Sequence, residues 1–129
     1  MKNEGKLFLI VDDEPDMCWA LERILHKQGY LTETVFNAEG ALSIIKPNRF
    51  RMAFLDAKLP DIEGMDLARR IREVDPFMCI VMISGYFYSD DEMIHKALEE
   101  NLISGFISKP FCNNKILKLI ERLARITIT

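Results

Sequence analysis

Three carboxylates, a hydroxyl and an amine stand at the ends of four short apolar runs in this sequence. Leu7-Phe8-Leu9-Ile10-Val11 runs into Asp12-Asp13, Met52-Ala53-Phe54-Leu55 into Asp56, Met78-Cys79-Ile80-Val81-Met82-Ile83 into Ser84-Gly85, and Gly105-Phe106-Ile107-Ser108 into Lys109-Pro110. Brought together, Asp12, Asp13 and Asp56 repel one another unless a cation fills the space between them. A site with few oxygen ligands and room for water suits Mg²⁺, which also accepts phosphate oxygens. A metal, a lysine and a hydroxyl around one carboxylate describe phosphoryl transfer. Asp56 would be the nucleophile, Mg²⁺ and Lys109 would neutralise the transferred group, and Ser84 would hydrogen-bond one of its oxygens. Each residue alone has a plainer reading: helix-start acids for Asp12-Asp13, a turn hydroxyl for Ser84, a solvated charge for Lys109. The joint placement is what points to chemistry.

That placement requires the four runs to be neighbouring parallel strands, whose carboxyl ends open on one crevice. An apolar run of about four to eight residues fits a strand covered on both faces. Between the runs lie helical stripes. The first carries Met17, Leu21, Ile24 and Leu25 on one face, starts near Pro15 and stops at Gly29. Tyr30 to Val35 alternates apolar and polar residues, as on a strand nearer the edge of a sheet. Asn37 can cap a short second helix with Ala41, Leu42 and Ile45 inward, broken at Pro47-Asn48. After Asp56, Leu59-Pro60 and Gly64 mark a fixed loop, and a third helix runs from about Met65 to Glu73. Asp90-Asp91 can start a fourth helix with Met93, Ile94, Ala97 and Leu98 inward, ended by a left-handed turn at Asn101. A fifth runs from about Asn113 to Arg125 with Ile116, Leu117, Ile120 and Leu123 inward. Strand and helix thus alternate five times without a repeat or linker, which predicts a doubly wound parallel sheet of the α/β class.

Length and composition agree. At 129 residues the chain reads as one domain, with a core at about residues 6–125, burying roughly two-thirds of its unfolded surface. Hydrophobic residues make up 49% and charged residues 29%, which argues against disorder. A formal net charge of -3 gives no electrostatic reason for direct nucleic-acid binding. Cys18, Cys79 and Cys112 form an odd, widely spaced set, so thiols in a reducing cytoplasm are expected rather than disulfides or zinc. Leu7 to Val11 is too short for a signal peptide or a membrane span.

With these residues in hand, the whole chain resembles the receiver domain of two-component response regulators. The resemblance rests on Asp12-Asp13 after the first strand, Asp56 with Leu59-Pro60 and Gly64 downstream, Ser84-Gly85, and Phe106 three residues before Lys109-Pro110. It implies a flavodoxin-like (βα)5 fold with strand order 2-1-3-4-5. It also implies that Asp56 accepts a phosphoryl group from a phosphohistidine on a sensor histidine kinase, catalysing its own phosphorylation and dephosphorylation without turning over a separate substrate. Asp13 and Asp56 would bind Mg²⁺ directly, Asp12 through water, and the Lys58 backbone carbonyl would complete the protein ligands. Ser84 would move toward the phosphoryl group and Phe106 would follow inward. The surface of the fourth helix, fifth strand and fifth helix would then change for an output domain or downstream partner, and could pair two copies of the chain.

Departures from the family carry their own expectations. Phe106 lacks the hydroxyl of the tyrosine often found at its place, so any switching rests on ring burial alone. The stretch Tyr86-Phe87-Tyr88-Ser89-Asp90-Asp91 lies in a connection about three residues longer than usual, and its aromatics could face a partner or pack on the fourth helix. Lys58 and Tyr86, two residues after Asp56 and Ser84, sit where side chains in the family influence loss of the phosphoryl group. Lys58 is expected over the phosphoryl group and Tyr86 as a shield against water. His26 and His95 read as surface or boundary histidines, Trp19 as a packed or partly exposed residue, and Arg69, Arg70 and Arg72 as a solvated face. Two other readings stand: a phosphorylation-independent interaction module, and a small Mg²⁺-dependent phosphohydrolase. The second is opposed by Lys58, where an acid would be needed to protonate a leaving group.

Overall fold

The computed structural model describes residues 5–85 and 91–128, with side chains as far as Leu123. Its elements alternate as β1 (Leu7–Val11), α1 (Pro15–Lys27), β2 (Leu31–Val35), α2 (Ala38–Ile44), β3 (Met52–Asp56), α3 (Gly64–Val74), β4 (Cys79–Ser84), α4 (Glu92–Glu99), β5 (Gly105–Ser108) and α5 (Asn113–Ile128). The five strands are parallel in the order β2-β1-β3-β4-β5, the expected flavodoxin-like arrangement. Among the described residues, no helix is long and apolar enough to cross a membrane.

Successive side chains of a strand point to opposite faces, and the two cores follow this alternation. Leu9 and Val11 of β1, Ala53 and Leu55 of β3, and Ile80 and Met82 of β4 pack with Ala41 of α2, Leu67 and Ile71 of α3, and Ile94 and Ala97 of α4. Phe8 and Ile10, Met52 and Phe54, and Val81 and Ile83 face the other way, onto Leu21, Ile24 and Leu25 of α1 and Ile116, Ile120 and Leu123 of α5. This double covering explains why the central strands are apolar at every position. Only the last residue of each run can be polar, because it alone reaches the open end of the sheet.

The punctuation works as its chemistry predicts. Asn37 Oδ1 accepts from Gly40 N at 2.7 Å, Asp91 Oδ1 from Met93 N at 2.8 Å, and Gly29 and Asn101 take positive φ of 85° and 59°. Three expectations need correction. Met93 and Leu98 are exposed on α4, which meets the core through Ile94 and Ala97; the apolar stripe is wider than the contact. α5 continues to Ile128 rather than ending near Arg125. Arg72 is not a solvated charge. Its Nε donates to the carbonyls of Asn101 (3.1 Å) and Leu102 (3.2 Å), and its Nη1 to those of Pro76 (3.1 Å) and Met78. Arg69 and Arg70 are exposed as expected, as are His26, which shares a hydrogen bond with Thr32 Oγ1, and His95. Trp19 is exposed too, with the Arg23 guanidinium over its ring.

Candidate functional site

Strand register sets the site. β3 and β4 pair Asp56 with Ile83, so Ser84 falls one residue beyond, and β4 and β5 pair Ser84 with Ser108, so Lys109 follows next. The Lys109 N–H donates to the Ser84 carbonyl at 2.9 Å, and Asp12 N–H to the Val35 carbonyl at 3.2 Å. The Lys109–Pro110 peptide bond is cis. All four strand ends therefore deliver their chemistry-bearing residues to one edge. A crevice of about 560 Å³ opens there, lined by Asp13, Glu14, Asp56, Lys58, Gly85 and Lys109. Asp12 and Ser84 are buried and do not line it.

The loop after Asp56 is held tightly. Gly64 N–H donates to the Ala57 carbonyl at 2.8 Å and Ala57 N–H to the Ile83 carbonyl at 2.9 Å, while Lys58 and Glu63 form an antiparallel bridge. A Cβ on Gly64 would overlap the Asp56 carbonyl oxygen and lie 2.8 Å from Ala57 Cα. Glycine is needed here for close approach of two backbones, not for a positive φ. At the loop tip Asp61 accepts from the first N–H groups of α2, those of Ala38 (3.0 Å) and Glu39 (2.9 Å). These donors hold the Asp61 carboxyl below the usual carboxylate range.

Oxygens of Asp12, Asp13 and Asp56 all lie within 4.8 Å of one another. Burial pushes the Asp12 carboxyl up to about 6; the Asp56 charge adds to this, while the Glu14 N–H and Lys109 oppose it. Asp56 is raised as well, again by burial, against the lowering pull of the Lys58 N–H and Lys109. Lys109 Nζ lies 3.4 Å from Asp12 Oδ2, 3.5 Å from Asp56 Oδ2 and 2.7 Å from Glu14 Oε1. Burial works against its ammonium, but the Glu14 hydrogen bond and the charges of Asp12 and Asp56 outweigh it and hold its pKa above the usual value. Asp12 Oδ1 accepts from the Glu14 N–H at 2.9 Å, whereas its buried Oδ2 has no hydrogen-bond donor among the described residues. A buried carboxylate oxygen that faces two more carboxylates, with the Lys109 ammonium 3.4 Å away and no hydrogen-bond donor among the described residues, fits a hard cation better than it fits water alone.

Of the residues singled out by sequence, Asp12, Asp13, Asp56 and Lys109 meet directly. Ser84 is buried at the end of β4, one residue past the partner of Asp56. Phe106 is half-buried against the α2–α4 side of the core and borders a second groove with Lys115, Lys118 and Arg122 of α5. The Lys58 side chain is exposed at the crevice rim, its Nζ 3.8 Å from Glu63 Oε1. Tyr86, the longer connection and its aromatic run fall outside the described residues. Cys18 donates its thiol hydrogen to the Asp12 carbonyl at 3.3 Å, and burial, then the charges of Asp12 and Glu22, push its pKa up to about 12. Buried and shifted upward, that thiol stays protonated near neutral pH, which disfavours a nucleophilic role. The residue sequence reasoning left unassigned is Glu14. Its place as the third acid of Asp12-Asp13-Glu14 was the available signal, but its partner lies in β5's exit, 95 residues on.

Comparison with known proteins follows the same lines. The family model of the response regulator receiver domain matches residues 8–121. The nitrogen assimilation regulatory protein NtrX of Azorhizobium caulinodans is 35% identical over 116 residues, 88% of this chain and 25% of that protein. The sporulation initiation phosphotransferase F of Bacillus subtilis is 28% identical over 122 residues, 95% of this chain and 94% of that protein. The chain thus spans about a quarter of the length of NtrX and nearly all of the phosphotransferase. Among solved structures, a CheY-like response regulator receiver domain protein from Methanospirillum hungatei has a TM-score of 0.85 at 28% identity, covering 95% of each chain.

Proposed function

The chain belongs to the response regulator receiver domain family, and from that premise we propose that Asp56 accepts a phosphoryl group from the phosphohistidine of a sensor histidine kinase. An Asp56 carboxylate oxygen attacks phosphorus as the bond from phosphorus to the imidazole nitrogen breaks. The nitrogen keeps the electron pair, and Asp56 becomes an acyl phosphate. Water attacking the same phosphorus later returns inorganic phosphate and the free carboxylate. Asp12, Asp13, Asp56 and the Lys58 backbone carbonyl would hold Mg²⁺. When bound, Mg²⁺ supplies positive charge against the phosphoryl oxygens and relieves the repulsion among the acids. Lys109 supplies the second positive charge. Ser84 turns its hydroxyl toward a phosphoryl oxygen, and Phe106 sinks inward behind it. The surface of α4, β5 and α5 then carries the change to an output domain or downstream protein. Lys58 at the rim and Tyr86 set how readily water reaches the phosphorus.

One observation carries this reading: the Asp56 carboxylate stands 3.5 Å from the Lys109 ammonium within a cluster of three acids. Intact mass of the protein incubated with Mg²⁺ and acetyl phosphate, beside Asp56→Asn, tests it. A gain of one phosphoryl group that requires Mg²⁺ and vanishes in the variant is the expected result. No gain, with phosphorylated histidine kinases also silent, would instead favour an interaction module that works without phosphorylation.

A further inference from the structure

Glu14 holds Lys109 more closely than either buried acid does. Its Oε1 accepts from Lys109 Nζ at 2.7 Å, whereas Asp12 and Asp56 meet the same ammonium at 3.4 and 3.5 Å. At those longer distances the ammonium neutralises charge, and its hydrogen bond goes to Glu14. Glu14 is also the N-cap residue of α1, yet its side chain makes no capping bond. Its carboxylate is turned to Lys109 instead. The residue itself is anchored, because its N–H donates to Asp12 Oδ1 at 2.9 Å. The Lys109 side chain is only 14% exposed and that of Glu14 59%, so a mostly buried cation is drawn outward by an acid at the crevice mouth.

A phosphoryl group on Asp56 would bring roughly two negative charges and three strong acceptors to the inner side of that ammonium. On the premise that Asp56 is the acceptor, we propose that Glu14 is a positioning residue: it holds Lys109 back from Asp56 and must yield it when the phosphoryl group arrives. Glu14 thereby lowers the affinity of the site for a phosphoryl group and sets the threshold for its acceptance. The residue acts through Lys109 and touches no reacting atom.

Two substitutions separate this role from simple charge repulsion. Glu14→Gln removes the charge, and its amide oxygen is a weaker partner for an ammonium. Glu14→Asp keeps the charge, but aspartate at an N-cap turns to accept the first N–H groups of its own helix, which withdraws it from Lys109. Beryllofluoride, a phosphoryl mimic, is titrated into each protein with saturating Mg²⁺ by calorimetry, after urea unfolding shows that each folds. Both variants should bind about threefold more tightly than the parent, the size of effect an exposed ion pair supports. Affinities equal to the parent in both variants overturn the proposal. So does tightening in Glu14→Gln alone, which would mean that only the field of the charge matters. Asp56→Asn marks the other failure: if it binds beryllofluoride like the parent, or if the parent binds none, the acceptor reading falls and this proposal with it.

Discussion

Lys109 Nζ lies 3.5 Å from Asp56 Oδ2 and 3.4 Å from Asp12 Oδ2, so one ammonium offsets both buried carboxylates. A cation entering the cluster must compete with it. Lys109→Ala is therefore expected to bind Mg²⁺ several-fold more tightly while accepting a phosphoryl group at least about tenfold more slowly, since charge on the transferred group loses a preorganised partner. Calorimetric Mg²⁺ titration and a mass time course with acetyl phosphate read the two effects separately. Weakened Mg²⁺ binding would mean that Lys109 organises the acids rather than competing for them.

The metal-free protein should lose stability as pH rises through the range where Asp12 ionises. Its folded pKa is raised by burial from 3.8 to about 6. A raised carboxyl binds its proton more tightly in the folded state, so its contribution is fully present below the unfolded value and lost as pH climbs toward about 6. Asp56, shifted the same way, adds to the trend. Asp12→Asn should accordingly be more stable than the parent near pH 7.5 in chelator, and the difference should shrink near pH 4.5. Urea unfolding at the two pH values decides it, and an advantage independent of pH would point to packing instead. Added Mg²⁺ should narrow the gap at the higher pH by stabilising the parent.

The strands and the site were legible for one reason. The central strands of a parallel sheet covered on both faces admit polar residues only where they leave it, so Asp12, Asp56, Ser84 and Lys109 announce both the strand ends and the crevice. What escaped depends on partners far along the chain. Arg72 reads as one of three solvated arginines until the Asn101 and Leu102 carbonyls, 29 and 30 residues away, are folded onto it. Glu14 has no assigned role in the sequence, because its partner Lys109 lies 95 residues on. The inward face of α4 was overdrawn because Met93 and Leu98 share the helical stripe with Ile94 and Ala97, and spacing does not say how wide a contact is.

Gly64→Ala should be costly although the φ of Gly64 needs no glycine. The added Cβ would overlap the Asp56 carbonyl oxygen and crowd Ala57 Cα and Met82 Sδ, and backbone cannot move aside as a side-chain tip can. Overpacking of this kind costs about 1–3 kcal/mol. Urea unfolding should show that loss, and Mg²⁺ affinity should fall with it, because the strain is applied to the two residues before Lys58. A change below about 0.5 kcal/mol, the level of an ordinary surface substitution, would show that the loop gives way easily.

Arg72→Ala should destabilise the fold while leaving phosphoryl acceptance intact. The guanidinium joins the carbonyls of Asn101 and Leu102, in the turn between α4 and β5, to the carbonyls of Pro76 and Met78 between α3 and β4. Removing it leaves the half-buried carbonyls of Leu102 and Met78 without their donor, while those of Asn101 and Pro76 are open to water, a loss of about 1.5–3 kcal/mol. Lysine is not expected to rescue the position, because one ammonium on a flexible stem cannot present the planar fork that spans carbonyls from two chain segments. The clamp lies at the end of α3 and α4, away from Asp56, so the extent of phosphorylation by acetyl phosphate under folding conditions should match the parent. Rescue by Arg72→Lys in urea unfolding would reduce the role of Arg72 to charge alone, and a lost phosphorylation signal in a folded Arg72→Ala protein would couple this clamp to the site.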